Sequence, residues 1–370
     1  MPALLRKLLV FLAAAAGSLV LAEAALWALG LPRFPAGRRN EFTAGLDFEP
    51  AQCLPGYPLH RLRPGSRYLN VFESDPRGYF GPECTVVIAA NERGFRGPAC
   101  AGDAAPGTAR IVFLGDSFTL GEGVKDEDIY PERTAALLAA RLGPGGPRVE
   151  ACNLGMLAFN TTQEWIVLEE EGFGCGPDLV VLGYFLNDAA EPYFVIDWRT
   201  RSVRQETGGL AGLALRRPPP SPLYRSRLAR IAWRLFDARE RARLTVAYYD
   251  ELYSDQNPAW SRNRQSLQAI VRSCAQRGIP LVVLCFPVLA DFAGGYPFDP
   301  VHAEVARAVA EVAGPSTRFV DLRPHFQGHR TADLWVHPTD HHPNELAHQI
   351  AAEVLAETIA GDPLLRPRPR

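Results

Sequence analysis

The chain carries no basic stripe, no polybasic run and no acidic run, and its formal net charge is −2 with a pI near 6.5. Nucleic-acid binding rests on clustered Lys and Arg that neutralise phosphates, so this composition argues against such a partner. A nucleotide-binding glycine loop with its lysine is also absent. None of the seven cysteines (Cys53, Cys84, Cys100, Cys152, Cys175, Cys274 and Cys285) forms a CxxC pair or a metal-finger spacing. The run "HPTDHH" groups His337, Asp340, His341 and His342 but matches no closed zinc pattern, and adjacent His341 and His342 would point apart. Neither a metal nor a cofactor is therefore expected. Internal repeats are lacking too.

Long apolar runs are present. With 370 residues and 47% hydrophobic content, the chain can build one large domain with an appended piece. Arg6 and Lys7 precede "LLVFLAAAAGSLVLAEAALWALGL", Leu8 to Leu31, in which Glu23 is the single charge. About 20 apolar residues suffice to cross a bilayer as a helix. A signal peptide has a shorter apolar core and a small-residue cleavage site. "LAEAA" near Ala24 offers such a site, but the run continues through Leu26, Trp27 and Leu29, which favours an uncleaved anchor. Flanking Arg6, Lys7, Pro32 and Arg33 argue against a core helix. Cytoplasmic Arg6 and Lys7 would leave the body of the chain outside the cytoplasmic membrane. Disulfides are possible there, and proximity in sequence suggests Cys84–Cys100 and Cys152–Cys175. Cys285, in an apolar strand, reads as a buried free thiol.

Residues 33–108 are rich in Pro, Gly and Arg and read as an irregular N-terminal extension behind a 1–32 anchor or signal segment. From Arg110 the pattern alternates. Strands at "RIVFLG", "RVEACNLG", "DLVVLGY", "PLVVLCFPV" and "RFVDL" are separated by amphipathic helical runs, the last being "NELAHQIAAEVLAETI". Continuous apolar strands between helices predict an α/β fold, a three-layer α/β/α sandwich on a central parallel sheet, over 109–362. The stretch of about 190–250, with "RRPPPSPLYRSR" and "RLARIAWRLFDARERARL", breaks this rhythm and reads as an insertion. The tail 363–370 reads as disordered.

In parallel sheets, ligands bind beyond the carboxyl ends of the strands. The first strand runs into "GDSFTLG", which puts Ser117 at that edge. Gly-Asp-Ser alone is ordinary turn chemistry. Its companions are Gly155 in "NLGMLAFN", Asn187 in "GYFLND", and Asp340 with His342 in "DHHPN". A glycine lets backbone approach a ligand closely, and an Asn amide is a good donor to an oxyanion. A serine hydroxyl needs an adjacent base, and the base needs a carboxylate to hold its tautomer. The formal sequon at Asn160 falls near this edge, where chance explains it better than a glycan.

In this order, the four motifs resemble the SGNH (GDSL-type) hydrolase family over roughly Arg110 to Ile359. The resemblance implies a flavodoxin-like fold and a serine esterase working through an acyl-enzyme. Ser117 would be the nucleophile and His342 the general base, oriented by Asp340. Gly155, Asn187 and the Ser117 N–H would form the oxyanion hole. The family often places its Asp three residues before the His; here Thr339 stands there, and Asp340 takes the role. His341, His337 and Asp333 are weaker alternates. The substrate class implied is an ester-bearing small molecule or carbohydrate, such as an O-acetyl group on a cell-envelope glycan. Transfer of the acyl group to a glycan hydroxyl, and a non-catalytic glycan-binding module on the same fold, stay open at this level.

Overall fold

The computed structural model describes residues 3–31, 38–197, 200, 202–205, 225–290 and 295–361. Pro32 and Arg33, the Pro-rich part of the insertion and the 363–370 tail lie outside them. The chain forms two units, Met1–Pro35 with Gly208–Tyr248, and Ala36–Thr207 with Tyr249–Arg370.

In the smaller unit, helix α1 (Ala3–Ala28) is long and apolar enough to cross a membrane, and none of its residues is buried. Glu23 has a specific task. Its carboxylate accepts the Arg227 N–H at 2.7 Å, the Leu228 N–H at 3.0 Å and the Ser226 hydroxyl at 2.9 Å. It thereby satisfies orphan donors at the start of the helix Arg227–Leu252, α5 in chain order. The Arg227 guanidinium lies over the Trp27 ring at 4.4 Å and donates to the carbonyls of Leu26 and Leu31.

The larger unit begins with strands where irregular chain is expected. β1 (Arg39–Phe42), β4 (Arg67–Val71) and β5 (Thr85–Ala89) form an antiparallel sheet, and β2 (Leu46–Pro50) pairs with β3 (Pro58–Leu62). These strands are four or five residues long and only partly buried, so they lack the continuous apolar signature that marks the main sheet.

The main sheet follows. β6 (Thr108–Gly115), β7 (Arg148–Asn153), β8 (Leu179–Phe185), β11 (Leu281–Phe286) and β12 (Thr317–Asp321) are all parallel, in the order β12-β11-β8-β6-β7. In chain sequence that is 2-1-3-4-5, the flavodoxin-like doubly wound order, with its switch point between β6 and β8. A short antiparallel pair, β9 (Phe194–Asp197) and β10 (Ser202–Gln205), follows β8 within the stretch read from the sequence as an insertion.

Helices cover both faces of the sheet, which is why every residue of β6 and β11 is buried. On one face, α3 (Tyr130–Leu142) and α8 (Glu345–Gly361) set Ala135, Leu138, Ala347, Ala351, Leu355 and Ile359 against Ile111, Phe113, Val181, Val282 and Leu284. Each fully buried Leu or Ile contributes about 1.5–3 kcal/mol, so the α8 stripe fixes the segment just before it. On the other face lie α4 (Thr161–Val167), α6 (Pro258–Gln276) and α7 (Asp299–Ala310). Asn160 caps α4. It accepts the Gln163 N–H at 3.0 Å, and its amide donates to the Ala190 carbonyl, so this buried side chain is spent internally and the sequon has no glycan role.

The cysteine pairings suggested by sequence proximity are corrected. The disulfide joins Cys100 to Cys152, and Cys84 and Cys175 are free. Cys152 lies on β7, and the segment before β6 brings Cys100 alongside it, whereas the Cys175 thiol donates to the Cys100 carbonyl at 3.1 Å. Cys285 is a buried free thiol, as the sequence suggests. The bridge spans 52 residues. On a chain-entropy account its loss costs about 4 kcal/mol, so Cys100→Ser with Cys152→Ser is expected to lower the urea midpoint clearly. A midpoint equal to that of the unmodified protein would refute this.

Candidate active site

Between Ile111 and Leu120, every residue is buried except Ser117, which is half-buried at the end of the turn. The turn is built for this. Gly115 ends β6 at φ +150, and a Cβ there would lie 2.1 Å from Thr119 Oγ1 and 2.7 Å from the Gly183 carbonyl. Asp116 then caps the one-turn helix α2 (Ser117–Leu120) by accepting the Phe118 N–H at 2.8 Å. The carbonyls at the far end of α2 are taken by Arg96. This wholly buried guanidinium donates to Leu120 at 2.8 Å, Gly121 at 2.7 Å and Val124 at 2.6 Å, and pairs with Asp126.

Asp340 and His342 sit on β14 (Asp340–Pro343), which pairs antiparallel with β13 (Trp335–His337), so a short hairpin carries them. Asn344 pins its end. Its amide donates to the Asp333 and Trp335 carbonyls, and its Oδ1 accepts N–H groups of Leu346 and Ala347 at the start of α8.

The geometry brings Ser117, His342 and Asp340 into one chain. His342 Nε2 is 3.0 Å from Ser117 Oγ, and His342 Nδ1 is 2.5 Å from Asp340 Oδ1. The ring packs edge-on against Phe118, with centroids 5.6 Å apart. The weaker alternates are occupied elsewhere. His341 stacks on Trp335 at 3.9 Å, buried His337 contacts Ser74 and Thr339, and Asp333 pairs with Arg330 at the surface.

Asn187 follows β8 at the same sheet edge, with its Oδ1 buried and unpaired. Gly155 behaves differently from the expectation. Its N–H donates to Asn153 Oδ1 at 2.9 Å. What the glycine provides is closeness, since a Cβ would lie 2.7 Å from Thr119 and 2.8 Å from the Leu120 nitrogen. Further along the loop, Ala158 adopts φ 57, and its N–H donates to no acceptor among the described residues.

Residues with no sequence signal complete the site. Arg38 Nη1 pairs with Asp340 Oδ2 at 2.8 Å and Nη2 with Glu122 Oε2 at 2.6 Å. Glu122 is buried, accepts a short hydrogen bond from the Tyr68 hydroxyl, and lies 3.2 Å from His342 Nε2. Arg38 stands 302 positions from Asp340, so no local motif could pair them.

These contacts set the titration. Burial alone would raise the Asp340 pKa, but the His342 charge and hydrogen bond, with Arg38, outweigh it and hold the carboxyl well below the usual range. Burial works against a charged His342, but Asp340 and Glu122 overcome it and raise its pKa above the ordinary value. Burial also pushes Asp116 up to about 6.

A hydroxyl, an imidazole and a carboxylate in line at the switch point of a doubly wound sheet have the form of an ester hydrolase. Residues 113–350 match the GDSL-like lipase/acylhydrolase family, and the chain belongs to that family. No curated protein matches it. Among solved structures, it is similar to LAE5, an α/β hydrolase from the metagenome of Lake Arreo, Spain, at 17% identity and a TM-score of 0.43, covering 73% of this chain and 100% of that one. It is also similar to Axe2, an acetylxylan esterase from Geobacillus stearothermophilus, at 15% identity and a TM-score of 0.42, with 73% and 100% covered. A two-domain esterase active on acetylated mannans matches at 12% identity and a TM-score of 0.40, with 71% and 52% covered.

Proposed function

We propose that the protein is a serine esterase of the cell envelope that cleaves an O-acyl, specifically O-acetyl, ester on a carbohydrate. The single observation that supports this most is the line Asp340–His342–Ser117, at 2.5 Å and 3.0 Å. Asp340 fixes the tautomer with hydrogen on Nδ1, which leaves Nε2 free to take the Ser117 proton. Ser117 Oγ attacks the ester carbonyl carbon. The oxygen that gains charge is received by the Ser117 N–H and the Nδ2 hydrogens of Asn187. Gly155 lets the loop lie close to Thr119 and Leu120. His342 then passes its proton to the departing sugar hydroxyl. A water activated by the same imidazole cleaves the acyl-enzyme, releasing the acid and restoring Ser117.

The placement rests on α1. As an uncleaved anchor with cytoplasmic Arg6 and Lys7, it would hold the catalytic unit on the extracytoplasmic side, where envelope glycans are found. If the segment is cleaved, the enzyme would be periplasmic.

The test uses the full chain with p-nitrophenyl acetate, with and without an oligosaccharide acceptor, plus labelling by a fluorophosphonate probe. The expected outcome is one label on Ser117 and free acetate as the main product. Acetylated oligosaccharide as the main product would convert the reading to a transferase. Absence of both labelling and turnover in folded protein would overturn acyl chemistry and leave a glycan-binding module.

A further inference from the structure

Glu122 lies in the stretch that carries the nucleophile, and the reaction described above does not use it. Its position is unusual for a carboxylate. The side chain is almost fully buried, yet Oε2 is 3.2 Å from His342 Nε2, the nitrogen that must accept the serine proton. Ser117 Oγ is 3.0 Å from the same nitrogen. One ring nitrogen cannot serve both partners in one protonation state. With hydrogen on Nδ1 facing Asp340, a neutral ring offers Nε2 as a lone pair. That lone pair suits the serine O–H and is repelled by the carboxylate. A protonated ring carries N–H on Nε2, which suits Glu122 and cannot take a proton from Ser117.

We propose that Glu122 is a second carboxylate on the catalytic base, and that with Arg38 it sets the pH at which His342 can work. The proposal rests on the reading of His342 as the base. Glu122 favours the imidazolium twice. In the resting enzyme it stabilises the form that cannot attack. During acylation it stabilises the imidazolium that forms as Ser117 gives up its proton. Arg38 counterbalances this. Its two bonds, to Asp340 and to Glu122, hold both carboxylates in place and offset their charge, so the ring is not held protonated across the working range. Tyr68, wholly buried on β4, secures the other Glu122 oxygen and fixes which oxygen faces the ring.

The charges that face His342 come from every neighbouring element. Asp340 is on its own hairpin, Glu122 and Asp116 are on the nucleophile turn, Arg38 precedes β1, and His348 is on α8. Asp116 is common to all the variants below. His348 is neutral, since burial keeps its pKa at about 3.

The two partners act with opposite sign, and this makes the test sharp. The full chain and its Glu122→Gln and Arg38→Gln variants are assayed with p-nitrophenyl acetate, and kcat/KM is followed against pH. Glu122→Gln is expected to move the acid limb to lower pH by about one unit, so that well below the original midpoint a tenfold larger share of its own plateau is expressed. Its plateau falls, because the forming imidazolium loses a partner. Arg38→Gln is expected to move the limb to higher pH. Glu122→Asp, which keeps the charge, returns the limb toward its original position. A purely structural role for Glu122 would lower the plateau and leave the midpoint alone. Midpoints that coincide in all folded proteins, or that move in one direction for both Gln variants, overturn the proposal. Should Glu122→Gln not fold, the sign of the Arg38→Gln shift decides. Fluorophosphonate labelling separates the two readings. If Ser117 labels and the midpoints do not move, only the role of Glu122 falls; if Ser117 does not label, both readings fall.

Discussion

Ser117→Ala is expected to cut p-nitrophenyl acetate turnover by about ten-thousandfold or more and to abolish fluorophosphonate labelling, with the melting temperature unchanged. The asymmetry follows from position. The hydroxyl is at the half-buried end of a turn fixed by other groups: Asp116 caps α2, Arg96 holds its last carbonyls, and Gly115 and Gly155 allow the close approaches. Removing one oxygen disturbs none of these. On the mechanism proposed above it removes the attacking atom, while the proposed oxyanion donors stay in place, so a small residual rate over water is expected to remain. A variant that keeps a tenth of the turnover would show that the acyl-enzyme forms elsewhere.

Asp340→Asn is expected to cost about a thousandfold to ten-thousandfold in kcat, whereas Asp333→Asn is expected to leave the rate within about twofold. An Asn amide facing His342 Nδ1 would present N–H where the ring needs an acceptor, and the ring would settle in the tautomer with hydrogen on Nε2, facing the serine. The substitution also removes one of the two carboxylates on Arg38, which keeps Glu122. Asp333 pairs with Arg330 at the surface and reaches the site only through its main-chain carbonyl, which accepts from Asn344. Kinetics of the two variants side by side check the assignment. Equal losses would mean that the main-chain anchorage, rather than the Asp340 charge, positions the base.

The main sheet was legible because β6, β8 and β11 are continuous apolar runs separated by helical stripes, a pattern that parallel sheets covered on both faces require. Ser117, Asp340 and His342 were legible because local motifs carry them. The rest depended on distance. Arg38 and Tyr68 come from short strands and a loop whose composition shows no periodicity, and they meet Asp340 and Glu122 only after folding. Gly155 was read by residue type, but the direction of its N–H is set by the Asn153 side chain, which a motif does not encode. The cysteine partners were misassigned because closeness along the chain says little when the true pair is set by which segments flank a parallel strand.

The bond set of Glu23 makes any trimming of the leader consequential. A peptidase cutting just after Ala24 would carry this carboxylate away with the discarded peptide, along with the Leu26 and Leu31 acceptors if the cut fell further on. The opening turn of α5 would then have bare amide hydrogens, and a cut beyond Trp27 would also strip the guanidinium of Arg227 of its indole neighbour. A mature form lacking the leader must therefore rebuild that turn, and the two fragments of this unit are better regarded as one inherited piece than as a disposable address label and a separate helix.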